Sequence, residues 1–279
     1  MNRRKALIRA CDIFQENNIE QSSLEGEILF RHVLGIDRAH FFTDLDLPIT
    51  DAQVEELMQL VERRRLGEPS AYITGHREFF GLDFTVNTNV LIPRPETELL
   101  VEKAIGMAKE RRILKIADIG TGCGAIAVSL AVNLKDAAMY AVDISAGALE
   151  VAAENCRKHK VMDRITLLSG DMLMPLPGPV DMITANLPYV RQSDLPPGGP
   201  LKYEPQMALD GGEEGLDKIK ELCFQSREKL NKNGIILMEI GEGQGETVKD
   251  IITAVFPEAL IEIDNDLAGI ERLVTVRLT

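Results

Sequence analysis

Hydrophobic residues change their spacing along this chain. In the first quarter they recur at helical spacing, as in residues 54–61, and Thr50 with Gln53 has the pattern of a helix-capping box before that segment. From about residue 113 onward, short apolar runs alternate with helical segments instead. The pattern predicts a small N-terminal helical unit followed by an α/β domain.

Seven short apolar runs in the second part of the chain are candidate β-strands. Helical patterns separate most of them, which predicts an α/β fold with a doubly wound, seven-stranded, mainly parallel sheet. The last two runs lie too close together for a helical crossover, so we expect them to pair antiparallel. The candidates are Lys115–Ile119, Met139–Val142, Ile165–Leu168, Asp181–Ala185, Ile235–Ile240, Leu260–Ile263 and Leu273–Leu278.

These patterns divide the chain into three predicted parts. Residues 1–75 are expected to form the helical unit, residues 76–95 a hairpin or extended linker, and residues 96–279 the α/β domain. Ser22 and Glu25 are expected to form a second capping box in the helical unit. Because this unit shows no constellation of titratable residues, we interpret it as a helical bundle or as a docking module for a partner.

Composition narrows the possible functions. The chain has 31 Lys+Arg against 44 Asp+Glu, and the net charge of −13 opposes non-specific binding to nucleic acid, which draws on clustered positive charge. No apolar run approaches the ~20 residues of a membrane span, and the histidines show no metal-ligand spacing. The separated cysteines and the absence of a signal-like segment favour a reducing cytoplasm. We therefore expect a cytoplasmic protein without a metal, a membrane contact or a direct nucleic-acid partner, of unknown oligomeric state.

A glycine-rich turn follows the first candidate strand. Lys115–Ile119 leads into Gly120-Thr121-Gly122-Cys123-Gly124, and a helical pattern begins at Ala125. Glycines allow a tight turn and a close approach of ligand to backbone, and a helix N-terminus offers unpaired N–H groups. The spacing G-x-G-x-G differs from the G-x-G-x-x-G of dinucleotide-binding loops, which disfavours a nicotinamide oxidoreductase. A purely structural turn is the alternative interpretation.

Two further strand ends carry groups suited to a nucleoside. Asp143 ends the next strand, where an acid commonly holds ribose hydroxyls. Its alternative interpretation is the start of the next helix, with Ser145 as N-cap. After the third strand, we expect Asp171 to accept from an adenine amino group while Met172 packs on the ring. Together the three strand ends predict a nucleoside-cofactor pocket.

The apolar run Val180–Ala185 ends in Asn186-Leu187-Pro188-Tyr189. The carboxamide oxygen of Asn186 and the main-chain carbonyl of Leu187 or Pro188 suit the two hydrogens of a planar NH2 group, and Tyr189 offers an aromatic face. If this strand lies beside the glycine-turn strand, both motifs face one cleft. We predict methylation of an amino group, with Asn186, Pro188 and Tyr189 as catalytic residues. A proline-stiffened loop is the alternative for these four residues alone.

The chain resembles the protein-glutamine N-methyltransferases that modify peptide-chain release factors, the PrmC/HemK family. The resemblance runs essentially end to end and includes Gly67–Pro69 and Glu239–Gly241. Its most diagnostic parts are the blocks Leu91–Glu98 and Glu204–Leu216. One departure is Leu187, where the family usually has proline, although the main-chain carbonyl survives this change.

The resemblance implies a Rossmann-like, class I fold with S-adenosylmethionine as methyl donor and S-adenosylhomocysteine as product. It implies as acceptor the glutamine of a Gly-Gly-Gln loop in a release factor, docked with help from the helical unit. Asn186, Leu187, Pro188 and Tyr189 would hold that glutamine. The implied cofactor-binding residues are Gly120, Thr121, Gly122, Cys123, Gly124, Asp143, Asp171, Met172 and Asn186, with Thr97 and Glu98 closing the pocket.

Two other classes of function are compatible with parts of the pattern. A nucleic-acid adenine or cytosine amino methyltransferase also grips a planar NH2, but it needs a positively charged track and access to an unstacked base. The net charge of −13 disfavours it. A non-catalytic scaffold that binds S-adenosylmethionine would have no need of Asn186, Pro188 and Tyr189.

Overall fold

The computed structural model describes residues 1–195 and 200–279. Contacts divide these residues into two compact units. The first comprises residues 1–76 and 200–203, and the second comprises residues 77–195 and 204–279.

The first unit is helical. Its core consists of buried apolar and aromatic side chains, among them Phe30 and Phe41, whose rings meet edge to face with 5.5 Å between their centroids. The hydroxyl of Thr50 accepts from the Gln53 N–H, and the Gln53 side-chain oxygen accepts from the Thr50 N–H, both at 3.2 Å, so this capping box is confirmed. The helices are α1 (Arg3–Glu16), α2 (Ser22–Leu34), α3 (Arg38–Thr43), α4 (Asp51–Arg65) and α5 (Ser70–Thr74).

The start of α2 differs from the predicted capping box. Gln21 precedes the helix in a left-handed conformation, with a φ of 52°, so Ser22 is already the first helical residue. The Glu25 carboxylate does not cap the helix but accepts from Nε of Arg64 at 2.8 Å. The prediction for Ser22 and Glu25 is wrong because an ion pair between α2 and α4 uses the glutamate that a capping box requires.

The second unit opens with a hairpin and continues as an α/β domain. The hairpin strands are β1 (His76–Phe79) and β2 (Leu82–Thr85), and the helices that follow are α6 (Glu98–Arg111), α7 (Ala125–Asn133), α8 (Ala146–Lys158), α9 (Asp217–Lys229) and α10 (Gly245–Val255). The sheet strands are β3 (Lys115–Ile119), β4 (Ala138–Asp143), β5 (Ile165–Ser169), β6 (Val180–Ala185), β7 (Leu230–Glu239), β8 (Leu260–Asn265) and β9 (Glu271–Arg277).

The seven strands lie in the order β5-β4-β3-β6-β7-β9-β8. The first five in this order run parallel, β9 is antiparallel to β7, and β8 is antiparallel to β9. The predictions of a mainly parallel sheet and of a final antiparallel pair are therefore confirmed. The strand order reverses between β3 and β6, which is where ligands bind in folds of this type.

The pairing of β3 with its two neighbours brings three strand ends to one level. Ile119, the last residue of β3, is in register with Val142 on one side and with Ala185 on the other. The chain therefore leaves β3 and β6 side by side at the carboxyl edge of the sheet. Gly120 and Asn186, which follow these strands, are neighbours for this reason.

A buried carboxylate ties β3, β6 and the glycine turn together. Asp118 is 1% exposed, and its two oxygens accept from the hydroxyls of Thr184 at 3.1 Å and Thr121 at 2.6 Å. Burial raises the pKa of Asp118 to about 6, and the two hydroxyl hydrogen bonds oppose this shift. The carboxylate thus holds the turn at a cost in electrostatic free energy.

The variant Asp118→Asn tests this cost. Because the folded-state pKa lies above the unfolded one, folding favours the protonated acid, and stability from this group falls as pH rises from about 4 through about 6. Because asparagine carries no charge, the variant should avoid up to about 3 kcal/mol of this fall in unfolding free energy. We expect its unfolding free energy, relative to the wild type, to improve between pH 5 and pH 7.5. Asp136→Asn, at an exposed position, is the control. If the unfolding free energies of Asp118→Asn and the wild type depended on pH in the same way, the electrostatic cost assigned to Asp118 would be contradicted.

Candidate active site

A cavity of about 220 Å³ lies at the carboxyl ends of β3, β4, β5 and β6. Most residues predicted to hold a cofactor or a substrate line it. These are Thr97, Gly120, Thr121, Gly122, Cys123, Asp143, Asp171, Met172, Asn186, Leu187 and Pro188. The two motifs recognised separately in the sequence therefore face one space.

The glycines of the turn serve different purposes. All three adopt positive φ, which side chains disfavour. A Cβ at Gly120 would lie 3.2 Å from Leu187, so the turn packs on the end of β6. A Cβ at Gly122 would meet nothing within 4 Å, whereas one at Gly124 would lie 3.3 Å from Cβ of Ala152 in α8. Gly122 thus opens to the cavity, and Gly124 permits close helix packing outside it.

Asp143 lines the cavity and also lies at the start of the turn into α8. Its Oδ2 accepts from the Gly122 N–H at 2.9 Å and its Oδ1 accepts from the Ser145 N–H at 2.9 Å. Ser145 caps α8 by accepting from the Ala148 N–H at 3.2 Å, as predicted. Since each carboxylate oxygen has two lone pairs, Asp143 retains acceptor capacity toward the cavity that it lines.

The segment that follows β5 carries the third group of predicted cofactor residues, Asp171 and Met172. Met172 has a φ of 48° and is buried, while Asp171 lies 3.8 Å from Nζ of Lys218. Lys218 also lines the cavity, a placement that the sequence did not indicate. The thiol of Cys123 is buried, and burial raises its pKa to about 12, so it packs in the wall as a neutral group.

A chain of hydrogen bonds fixes the side-chain amide of Asn186. Its Nδ2 donates to Oγ1 of Thr97 at 3.0 Å, and that hydroxyl donates to Oε2 of Glu239 at 2.6 Å. The Tyr189 hydroxyl donates to the other oxygen of Glu239 at 3.1 Å. Glu239 is 2% exposed, and burial raises its pKa against the opposing hydrogen bonds from Thr97 and Tyr189.

Comparison with known proteins decides the family. Residues 5–75 match the PrmC N-terminal domain, and residues 95–196 match the methyltransferase small domain. A release factor glutamine methyltransferase of Moorella thermoacetica is 40% identical over 275 residues, which covers 98% of this chain and 97% of that protein. This chain belongs to the release factor glutamine methyltransferase family. The predicted family and the prediction of a methyltransferase are therefore confirmed.

Two further similarities fit this membership. The release factor glutamine methyltransferase of Bacillus cereus is 36% identical over 282 residues, covering 97% of this chain and 97% of that protein. The ribosomal protein L11 methylase of Lactobacillus delbrueckii subsp. bulgaricus is 19% identical, with a TM-score of 0.52, covering 70% of this chain and 84% of that one. At this identity the second similarity shows the fold alone.

The two most diagnostic blocks of the methyltransferase meet beside the cavity. Glu204 is buried, and its carboxylate accepts from Nη2 of Arg94 at 2.5 Å and from the Ile92 N–H at 3.2 Å. This pairing anchors the segment that turns through Pro95–Thr97 into α6. The position of Thr97 behind Asn186 thus depends on an acid far away in the sequence.

Three predicted site residues of the methyltransferase do not line the cavity: Gly124, Glu98 and Tyr189. Glu98 accepts from the Phe80 N–H at 2.9 Å, which places it at the turn between β1 and β2. The Tyr189 ring extends toward Glu239, as described above. Glu239 belongs to the family resemblance but not to the predicted site residues, although, like Asp143, it is an acid at the end of an apolar strand.

Gln244 and Gly211 hold the turn that follows Asn186. Gln244 donates through Nε2 to the carbonyl oxygens of Tyr189 at 3.1 Å and Gly215 at 3.2 Å, and accepts from the Gly241 N–H at 2.8 Å. A Cβ at Gly211 would lie 2.7 Å from the Pro188 carbonyl oxygen. Only glycine permits this approach of backbone to backbone.

Among residues 1–195 and 200–279, no helix is long and apolar enough to cross a bilayer. The same described residues contain no group of three or more His, Cys, Asp or Glu side chains arranged to hold a metal ion.

The variant Gly211→Ala should displace the turn that carries Pro188. Its Cβ would lie 2.7 Å from the Pro188 oxygen and 2.8 Å from Cα of Tyr189, and both neighbours are backbone atoms. We expect methyl transfer to fall at least about tenfold, because small misplacements of reacting groups are costly. Cofactor binding measured by calorimetry should change little. The control Gly106→Ala, which meets nothing within 4 Å, should retain activity, and equal activities of both variants would contradict the prediction.

Proposed function

We propose that this methyltransferase transfers a methyl group from S-adenosylmethionine to the side-chain amide nitrogen of the glutamine in the Gly-Gly-Gln loop of a peptide-chain release factor. One observation carries the proposal: Asn186, Leu187 and Pro188 line the same cavity as the glycine turn. The groups that we assign to the substrate NH2 and those that we assign to the cofactor therefore border one space. The names of the relatives favour a release factor as substrate.

The proposed cofactor residues are chosen by the chemistry of the cavity wall. The turn Gly120–Cys123 offers backbone close to the ligand, and Asp143 has spare lone pairs for ribose hydroxyls. Asp171 is assigned to the adenine amino group and Met172 to the face of the ring. When bound, S-adenosylmethionine supplies an electrophilic methyl group and leaves as S-adenosylhomocysteine.

The glutamine NH2 group presents two hydrogens in one plane. We assign one to Oδ1 of Asn186 and the other to the main-chain carbonyl of Leu187 or Pro188, which fixes the nitrogen toward the donor. Alignment can contribute up to ~7–11 kcal/mol, whereas one net hydrogen bond contributes ~0.5–1.5 kcal/mol. Placement therefore outweighs any single contact. The methylated nitrogen is positively charged and then passes its extra proton to water.

The departure at Leu187 is compatible with this arrangement. Its side chain is buried and lies against Gly120, so contact with the glycine turn supports the segment at this position. Its main-chain carbonyl is the group that the proposal uses. We therefore expect leucine to preserve the acceptor.

The helical unit is proposed to help dock the release factor. Its match to the PrmC N-terminal domain over residues 5–75 and its own buried core support a separate module for this task. The net charge of −13 favours a protein over a nucleic acid as the partner. Since release factors act in translation, the proposed place of action is the cytoplasm.

The central test uses labelled S-adenosylmethionine, a release factor and mass spectrometry to locate the label. We expect the label on the glutamine side chain of the Gly-Gly-Gln loop. A release factor with glutamate at that position should remain unlabelled. Its carboxylate oxygens only accept hydrogen bonds and would face the acceptor oxygens of the site, which would be left unpaired. Label on the glutamate, or on added nucleic acid instead of the protein, would refute the proposed function.

The variant Asn186→Ala removes one of the two proposed acceptors. We expect turnover to fall about 100-fold, since positioning is lost, while calorimetry should detect cofactor binding still present. The exposed residue Asn265 offers a matched control, Asn265→Ala, which should keep full turnover. Full activity of Asn186→Ala would contradict the role assigned to the amide.

A further inference from the structure

Two buried side chains form a chain of hydrogen bonds that ends at the Asn186 amide. Thr97 is 4% exposed and Glu239 is 2% exposed, and neither forms part of the acceptor pair proposed for the substrate. They come from separate elements, the turn before α6 and the end of β7. The Thr97 hydroxyl donates to Glu239 at 2.6 Å and accepts from the Asn186 amide at 3.0 Å.

The direction of these hydrogen bonds follows from counting protons. An ionised carboxylate only accepts, so the single hydroxyl proton of Thr97 is committed to Glu239. Thr97 then offers only lone pairs to Asn186, which must turn its NH2 group toward Thr97. The Asn186 oxygen is left for the cavity.

Several neighbours bear on the ionisation of Glu239. Burial is the largest influence and raises the pKa of Glu239, and the charge of Glu96 acts in the same direction. The hydrogen bonds from Thr97 and Tyr189 and the positive charge of Arg272 oppose this shift and favour the carboxylate. Both carboxylate oxygens already accept a hydrogen bond in the structure, from Thr97 and from Tyr189. This is the arrangement expected of an ionised acid.

A carboxamide has no strong preference of its own between its two orientations. The oxygen and the NH2 group are nearly the same size, so rotation by 180° exchanges an acceptor for a donor with little steric cost. In the rotated state Asn186 would present N–H groups to the cavity. Such a site would repel a glutamine NH2 group and favour the carboxylate of a glutamate.

We propose that Thr97 and Glu239 are positioning residues that lock the amide orientation of Asn186 and thereby make the site select a carboxamide over a carboxylate. The selectivity part rests on the function proposed above. Glu239 sets the direction of the Thr97 hydroxyl, and the hydroxyl sets the direction of the amide. Neither residue needs to contact the reacting atoms.

Thr97→Val and Thr97→Ser separate the hydroxyl from the shape of the side chain. Valine keeps the volume but offers no lone pair, so the Asn186 amide loses the partner that fixes it. We expect turnover of the valine variant to fall about 10- to 100-fold at saturating cofactor, and serine to restore most of that loss. The matched control is Thr253→Val. Thr253 lies on α10, its hydroxyl donates to the carbonyl oxygen of Lys249 in the same helix, and the variant should keep full turnover.

Selectivity provides a readout that a merely structural role would not change. Binding of the release factor carrying glutamine is compared with binding of the same factor carrying glutamate. The wild type should prefer glutamine, and Thr97→Val should reduce this preference at least about tenfold when both are measured at saturating cofactor. Glu239→Gln should act in the same direction, because its amide offers a donor where the carboxylate has only acceptors.

Side-chain NMR of Asn186 tests the lock without turnover. In the wild type and in Thr97→Ser, one NH2 hydrogen should exchange slowly with water because it is bonded, and in Thr97→Val this protection should be lost. Equal protection, or equal turnover and equal selectivity, in the valine and serine variants would overturn the proposal. A wild type that labels no glutamine would refute the proposed function instead, and the NMR comparison would still decide the lock.

Discussion

The parallel pairing of β3 with β6 is the constraint on which the site depends. Its register sets Ile119 beside Ala185, so the glycine turn and Asn186 emerge at the same height. The hydrogen bond from Thr184 to Asp118 crosses the same pair of strands. A slip of one residue would turn these polar groups away from each other and leave a buried carboxylate without its partners, which is costly. The buried polar contact therefore specifies the register that the chemistry needs.

Buried acids recur behind the cavity and share one physical role. Asp118, Glu204 and Glu239 are each at most 6% exposed. Taking a charge out of water costs free energy unless hydrogen bonds and opposite charge compensate, so each acid tolerates few alternative arrangements of its neighbours. Together they hold the glycine turn, the segment before α6 and the Asn186 side chain. Rearranging these supports would leave buried charges without partners, which is costly.

The fold and the specific blocks contribute different information. The fold is shared with the ribosomal protein L11 methylase at 19% identity, so it indicates a type of architecture. The contact between Arg94 and Glu204 joins the two blocks that carry the family resemblance. Through that contact, residues outside the sheet bring Thr97 within hydrogen-bond distance of Asn186.

Elements with local signals are predictable from the order of the residues. Strand periodicity, the glycine turn and the Asn186–Tyr189 motif each depend on a few neighbouring residues, and the structure places most of the predicted cofactor and substrate residues around one cavity. Contacts between distant segments are not predictable in this way: Glu98 lies at the hairpin turn, and Glu239 supports Asn186 through Thr97. Thr97 and Glu239 are 142 residues apart, and no local pattern encodes a hydrogen bond across that distance. Such contacts exist only after the sheet has brought both segments to the same edge.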